Sequence, residues 1–465
     1  MNGLFPGKGW ELTLGIHGQV YNRARRPLGT KQMTGLPFLT AYDPPGSSEG
    51  ALDPLGLYLI ADRLATQLVP AVRERMQRIR FLTAMAVGCL VTEDVADGSS
   101  GEDISPYLVW EWMIIEAFDR TRRGSAEIWG VPGTLVASRA IDQFGYIDSR
   151  SYLKTARIFG FHGVYKRLAH HLGIVNVNLD PSVLTEALVN AWAKTLGNSR
   201  SKDQIRKWSN AVRSSMSAKP HAKTATGFKR ADWEELASAF LPGECSGQER
   251  DFLRKILLVA DKNRIGALPI MWQLQDRFTH ETYCEEDLHT AVFDAASEFR
   301  PLLQAIKAYE AFARRLQDSF DLLRAEASKQ DRIGFPIAAI AKDSDFISSM
   351  SDLDHYFAEA FQKLGNLDSL GTLLQNQFAD RFKRFADKQS PEACAHQLCE
   401  HHAEIQKSKS EQGKRTWFDK LDSDRIYIRY PYRIRRQELK LEKYLHDYRA
   451  WPIRNFWGDL NVSSA

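Results

Sequence analysis

The sequence predicts a mainly α-helical protein with small β elements, in which an N-terminal region with a winged-helix-like unit precedes a C-terminal helical-bundle domain. Three observations lead there. Apolar residues recur at helical spacing through most of the chain, most clearly over Arg300 to Ser328, where Leu302, Ile306, Tyr309, Phe312, Leu316, Phe320 and Leu323 fall three or four apart. Strand-like alternation is confined to short stretches, Trp10 to Leu14 and Arg425 to Arg433. Between Val131 and Trp192 an amphipathic helix, a glycine, a brief β excursion and another helix follow in turn, the order of a winged-helix or helix-turn-helix unit.

At 465 residues the chain exceeds what one core usually serves, so two or three domains are expected. An apolar share of 43% and a charged share of 26% are ordinary globular values. A net charge of +4 is too mild to mark a nucleic-acid binder by itself, so the placement of the charge has to decide. Residues 1 to 15 lack a basic segment followed by an apolar run, and no secretory leader is expected. The longest apolar run, Phe81 to Val91, is too short to span a bilayer and contains Thr83 and Gly88, so no membrane partner is expected. Five cysteines, an odd and sparse set, fit reduced thiols in a cytoplasmic protein.

Residues 1–53 read as an irregular arm, with Arg23, Arg25, Arg26 and Lys31 in a stretch free of acids. Gly3 to Gly9 resembles a phosphate-binding loop only superficially, since no Ser or Thr follows Lys8 and no strand precedes it. Residues 54–196 read as helical. Two helices are expected to meet at Pro70, with Arg73, Arg75, Arg78 and Arg80 along the second; Ser105-Pro106 starts an aromatic helix through Phe118. The winged-helix-like unit occupies 131–196. In its central helix Val164, Leu168 and Leu172 form an apolar stripe, and Tyr165, Lys166, Arg167, His170 and His171 are expected mostly on the outer side. Gly173 ends that helix, and Asp180-Pro181 opens the next.

Residues 197–230 hold nine Lys or Arg against the single acid Asp203: Arg200, Lys202, Arg206, Lys207, Arg213, Lys219, Lys223, Lys229 and Arg230. Such a stretch reads as a basic linker, mobile without a partner, and two roles fit it: a solvated connection or a phosphate-contacting arm. Residues 231–465 read as a mainly α-helical domain ending in a basic, aromatic strand. There Arg425, Arg429, Arg433, Arg435 and Arg436 interleave with Tyr427, Tyr430 and Tyr432. Arginine pairs with phosphate and tyrosine offers a stacking face, so the composition suits nucleic acid, although taken alone the stretch fits an edge strand with solubilising arginines better.

Sites for chemistry are weaker. Cys394, His396, Cys399, His401 and His402 form the one metal-like cluster, but on a helix Cys399 and His402 share one face while Cys394 and His401 share another. No zinc or other cofactor is therefore expected. Asp422, Asp424, Glu438 and Lys440 invite comparison with metal-dependent nucleases without the strand order such sites need.

Two stretches carry a resemblance. Ala51-Leu-Asp-Pro-Leu-Gly-Leu-Tyr-Leu59 with Phe159-Gly-Phe-His-Gly-Val-Tyr-Lys166, and His401-His402 through Gly413-Lys-Arg-Thr-Trp-Phe418, resemble a loosely defined set of uncharacterised bacterial proteins encoded beside helicases and nucleases in antiphage defence loci. The resemblance implies context only: an accessory protein working with a DNA-processing machine. Taken together, the expectation is a non-enzymatic subunit that binds double-stranded DNA and acts with a helicase or nuclease partner. The alternatives are a metal-dependent nuclease with scattered acids and a transcription regulator. The residues expected at DNA are Lys166, Arg167 and His170, the nine cations of 197–230, and Arg429, Arg433, Arg435 and Arg436.

Overall fold

The protein is described by a computed structural model over residues 53–95, 104–153, 160–194, 198–224, 227–259, 266–278, 283–330, 333–368, 370–409, 413–439 and 444–461, together with strand residues 13–14 and 20–21. The chain forms two units, Met1–Pro44 and Pro45–Ala465. In the first, β1 (Thr13–Leu14) and β2 (Val20–Tyr21) pair antiparallel, with Thr13 opposite Tyr21. The basic residues Arg23 to Lys31 lie outside the described residues.

Among its described residues the second unit is mainly helical with one small sheet. Its helices are α1 (Tyr58–Leu68), α2 (Phe81–Thr92), α3 (Pro106–Arg122), α4 (Thr134–Phe144), α5 (Phe161–His171), α6 (Val183–Ala193), α7 (Asn198–Met216), α8 (Arg230–Phe240), α9 (Gly247–Val259), α10 (Leu268–Leu274), α11 (Glu285–Ala295), α12 (Arg300–Ser328), α13 (Ser344–Met350), α14 (Leu353–Gly365), α15 (Gly371–Phe382), α16 (Pro391–Ser408) and α17 (Ala450–Asn461). β3 (Phe335–Pro336), β5 (Arg425–Ile428) and β4 (Phe418–Lys420) lie in that order, all antiparallel, with Phe335 opposite Ile426 and Phe418 opposite Ile428.

Helices α4 to α8 pack around α2 and α3, while α1 packs on α12 and α15. Gly88 of α2 lets α3 approach: a Cβ there would stand 2.7 Å from the Trp110 ring, and the Trp110 indole N–H donates to Ala84 O at 3.0 Å. Trp192 of α6 stacks on Phe240 of α8 at 5.8 Å, and Trp208 of α7 lies 5.5 Å from Trp110 and 5.7 Å from Phe240. All four rings are almost wholly buried. The long helix α12 organises the rest of the unit. It packs on α13, α14, α16 and β5, and its Phe312 meets Phe357, Phe378 and Phe382 at 5.1–6.0 Å.

The two regions are fastened at the start of α1. His401 Nε2 bonds to Leu55 O at 2.8 Å and His402 Nδ1 to Pro54 O at 3.0 Å, while Arg381 Nη1 donates to Gly56 O at 3.0 Å. His402 Nε2 in turn accepts from the Trp417 backbone N at 3.0 Å.

The structure corrects several expectations. The basic linker of 197–230 is not a loose connection: 198–216 is helix α7, because Trp208 and Val212 bury completely on its inner face. The helix expected from Pro70 begins only at Phe81. Ala71 takes a left-handed φ of 65°, and Arg78 and Arg80 turn inward to Asp459 (3.3 Å) and Glu249 (3.2 Å), so residues 69–80 run as turns. Helix α6 starts after Ser182, whose hydroxyl accepts from the N–H groups of Leu184 and Thr185; Asp180-Pro181 belongs to the turn before it, where Val175 bridges Pro181. The strand expected over 425–433 stops at Ile428, since Tyr430-Pro431-Tyr432 forms a 3₁₀ turn. Gly173 does end α5, at φ 75°.

Candidate nucleic-acid interface

Helix α7 turns its polar side outward because its apolar side is fixed. Gln204, Trp208, Val212, Ser215 and Met216 are buried, which leaves Lys202, Arg206, Asn210 and Arg213 exposed at spacings of four, four and three, one face of a helix. From Lys202 to Arg213 the row runs roughly 16 Å at 1.5 Å per residue. Arg206 is 78% exposed and meets Asp203 at 3.1 Å, a pair open to water and worth little. Arg213 donates to Asn210 Oδ1 at 3.0 Å, which holds its guanidinium along the row. Of Arg200 only the backbone is described, within α7.

Lys207 departs from this pattern. Its ammonium lies 2.6 Å from Asp232 and 2.6 Å from Glu235, both on α8. Burial draws its pKa down, but the hydrogen bonds to the two acids outweigh that and hold it above the ordinary lysine value. Asp232 is correspondingly lowered, first by its hydrogen bond to Lys207. These contacts draw the start of α8 to the side of α7, and with it the exposed Lys229 and Arg230. Lys219 is exposed in the turn after α7. That turn is anchored beneath: His221 Nε2 lies 2.6 Å from Asp148 Oδ2, Thr224 Oγ1 accepts from Ile147 N at 2.9 Å, and Lys223 stands 4.9 Å over the Tyr146 ring. The structure thus brings Lys202, Arg206, Arg213, Lys229 and Arg230 onto the outer side of α7 and its neighbour. Lys207 and Lys223 are engaged within the protein.

Helix α5 carries the other expected contacts. Arg167 and His170 are exposed, Lys166 half-buried, and Val164 and Leu168 buried. Tyr165 is not on the outer side: it is fully buried, and its hydroxyl accepts from Arg78 N at 2.8 Å. Burial lowers the Arg167 pKa, and the nearby Arg73 adds to this. Helices α5 and α7 use different ends of α2. Phe161 of α5 stacks on Phe81 at 5.0 Å, whereas Trp208 of α7 meets Trp110 beside Gly88. Seven residues of α2, roughly 10 Å, separate the two attachments.

The arginine–tyrosine stretch is turned into the protein's own structure. Arg429 is 1% exposed and its guanidinium lies 5.7 Å from the Tyr432 ring. Tyr432 stacks flat on Trp417 at 4.9 Å, and Arg324 covers the Trp417 system at 5.1 Å. Arg433 lies 5.1 Å over Tyr427. Arg436 pairs with Asp343 at 2.6 Å, Glu326 at 3.1 Å and Asp345; its hydrogen bonds to Asp343 and then Asp345 raise its pKa. Arg429, Arg433 and Arg436, expected at nucleic acid, are thus engaged within the protein by these rings and acids. Only Arg435 of the four is exposed.

The alternative sites do not assemble. Cys394 and Cys399 sit in apolar surroundings that push both thiols up to about 12, and His401 and His402 hold backbone groups. Asp422 caps its own turn and pairs with Arg425 at 2.7 Å, and Glu438 bonds to Arg435 N at 3.1 Å. Lys440 lies outside the described residues. Among the described residues no three His, Cys, Asp or Glu side chains gather as metal ligands, and no helix is long and apolar enough to cross a membrane. Comparison with known proteins finds no matching family model, no matching curated protein and no matching solved structure.

Proposed function

We propose that this chain binds the phosphate backbone of double-stranded DNA through the outer face of α7. The observation that carries the reading is the row Lys202, Arg206 and Arg213, held outward by complete burial of Trp208 and Val212 on the opposite face. Lys229 and Arg230 extend the row at the start of α8. The described outer face of α7 bears no aromatic ring, so it offers phosphate contacts rather than the base-stacking platform that single strands use. Binding of this kind is tolerant of sequence. In the winged-helix-like reading of 131–196, Lys166, Arg167 and His170 on α5 make a second set of contacts. The protein acts as a non-enzymatic subunit in a bacterial DNA-processing or antiphage-defence assembly beside a helicase or nuclease. Titration of a labelled random-sequence duplex against the purified protein over a series of salt concentrations tests this. With roughly four to six phosphates contacted, log K falls with log salt at a slope near −4 to −5, about −0.9 per phosphate. Affinity that does not change with salt overturns the reading.

A further inference from the structure

A cavity of about 170 Å³ lies where α13, the start of α14, the turn before α16 and the start of α16 meet. Helix α13 stops at Met350, and Asp352 takes a left-handed φ of 57° before α14 begins. On the other side Ser390 and Pro391 open α16, with Ser390 Oγ accepting from Ala393 N at 3.2 Å. The floor is apolar: Met350, Leu353, Phe385 and Cys394 are each less than a tenth exposed. Burial pushes the Cys394 thiol up to about 12, so it adds no charge. The mouth is acidic. Asp352 and Asp387 are exposed there and Asp354 half-buried, against the single cation Lys388.

We propose that this cavity binds a small organic cation, an ammonium or guanidinium group carried on an apolar stem. Its volume is close to that of an apolar cavity of about 150 Å³ that admits benzene, so it takes a stem of that bulk.

Two independent features set the chemistry. The first is charge. Among the described residues none of the carboxylates of Asp352, Asp354 and Asp387 forms an ion pair or a hydrogen bond, so their charge is not spent within the protein. A cleft lined mainly by one sign of charge concentrates the opposite sign at its mouth. The acids are not gathered as ligands for one metal ion, which leaves a cation that is held by field and bulk. The second feature is a buried acceptor in the wall. The Gln389 amide N donates to Arg384 O at 2.5 Å, which fixes the orientation of the amide, and Gln389 Oε1 is buried with no donor. A carbonyl oxygen in that state bears its full desolvation cost until an N–H reaches it. An ammonium or guanidinium supplies that N–H, the apolar floor takes its stem, and the acids at the mouth favour its charge. An anion meets the opposite of each polar feature.

The test is a methyl NMR titration of the full chain with isotope-labelled methionine, the Met350 signal being assigned through Met350→Leu. Benzylamine, benzyl alcohol and benzoate share one ring and differ in charge at neutral pH. Benzylamine should shift the Met350 methyl saturably, and the other two should bind at least about tenfold more weakly, since only the amine gains from the acids. Asp352→Asn, Asp354→Asn and Asp387→Asn together should weaken benzylamine about tenfold and leave benzyl alcohol unchanged. The single reversal Asp387→Lys, at an exposed position, should act in the same direction, so that misfolding of the triple variant leaves the question open to measurement. A blocked Gly-Arg-Gly peptide separates the sources of the cation. Tighter binding than benzylamine points to an arginine of a partner protein, and weaker binding to a free molecule. A Met350 signal that benzylamine does not move overturns the proposal. So does equal binding of the three probes, or benzylamine affinity unchanged in the aspartate variants. DNA binding by α7 stands or falls by its own titration.

Discussion

Lys207 of α7 and Glu235 of α8 meet at 2.6 Å, and Asp232 completes a two-acid clamp on the same ammonium. One of the nine cations in 197–230 is thereby neutralised by residues that lie beyond that stretch. Lys207→Ala should lower duplex affinity less than Arg206→Ala does. Glu235→Gln should raise affinity at low salt, since it removes a negative charge beside the exposed row. Parallel titrations of the three variants check this, and a Lys207 effect equal to that of Arg206 contradicts it.

Replacing Lys202, Arg206 and Arg213 together with alanine should reduce the steepness of the salt dependence by about 3, at about 0.9 per lost phosphate contact. Stability should change little, because exposed substitutions usually stay within about 0.5 kcal/mol each. Trp208→Ala should fail in the opposite manner. Emptying the space between Trp110, Trp192 and Phe240 should cost about 3–5 kcal/mol and lower the melting temperature before any effect on binding is read. Thermal melts beside the titrations separate the two.

Arg429→Ala should weaken the fold without altering the salt slope. Its guanidinium donates to Thr416 O at 3.2 Å and lies against Tyr432, so removal costs a half-buried hydrogen bond and its packing, about 1 kcal/mol or more. Denaturant titration paired with a DNA-binding curve checks both halves. A changed slope with an unchanged fold would return Arg429 to the interface.

Acid should destabilise the junction at the start of α1. Burial holds His401 at about 4 and His402 at about 3, whereas an unfolded chain protonates both near 6.5. The unfolded state binds more protons below 6.5, so stability falls as pH drops through that value toward the folded-state values. At about pH 5 the loss is about 2 kcal/mol for each histidine. The wholly buried Glu111, held near 8, acts in the opposite sense, so a difference between variants is the informative measurement. The difference between the parent and His402→Gln, measured by denaturant melts at about pH 7.5 and about pH 5, isolates the term. A parallel pair of profiles contradicts the assignment.

Much of the helical framework could be read from local pattern. Helix α12 spans Arg300–Ser328 as expected, because a long apolar stripe starts at a Pro and every signal for it is local. Helices α3 and α16 likewise begin at Ser-Pro pairs. Helix α7 was legible in principle: Ile205, Trp208 and Val212 stand at helical spacing, followed by Met216. The density of Lys and Arg obscured that stripe and suggested an unfolded linker. What no local pattern carries is the identity of a charge's partner. Arg436 finds Asp343 93 residues away, and Arg429 turns inward against a tyrosine three residues on and a carbonyl thirteen back. The same composition would serve an RNA- or DNA-facing strand, and only the tertiary fold decides which way it faces.

The bonds from His401 and His402 to the carbonyls of Leu55 and Pro54 close loops of 346 and 348 residues. A ribosome adds roughly 5–20 residues per second, so about 17–70 s pass between synthesis of the turn before α1 and synthesis of the histidines that fasten it. Until α12 and then α15 are made, α1 lacks the helices it packs on, and its apolar side, Ile60, Leu64 and Leu68, awaits a late-arriving partner. Nascent chains arrested before residue 300, where α12 begins, should therefore be bound by chaperones and cut by proteases near α1, while chains carried past residue 461 resist both. The order of synthesis makes α1, the earliest described helix of this unit, one of the last to be secured.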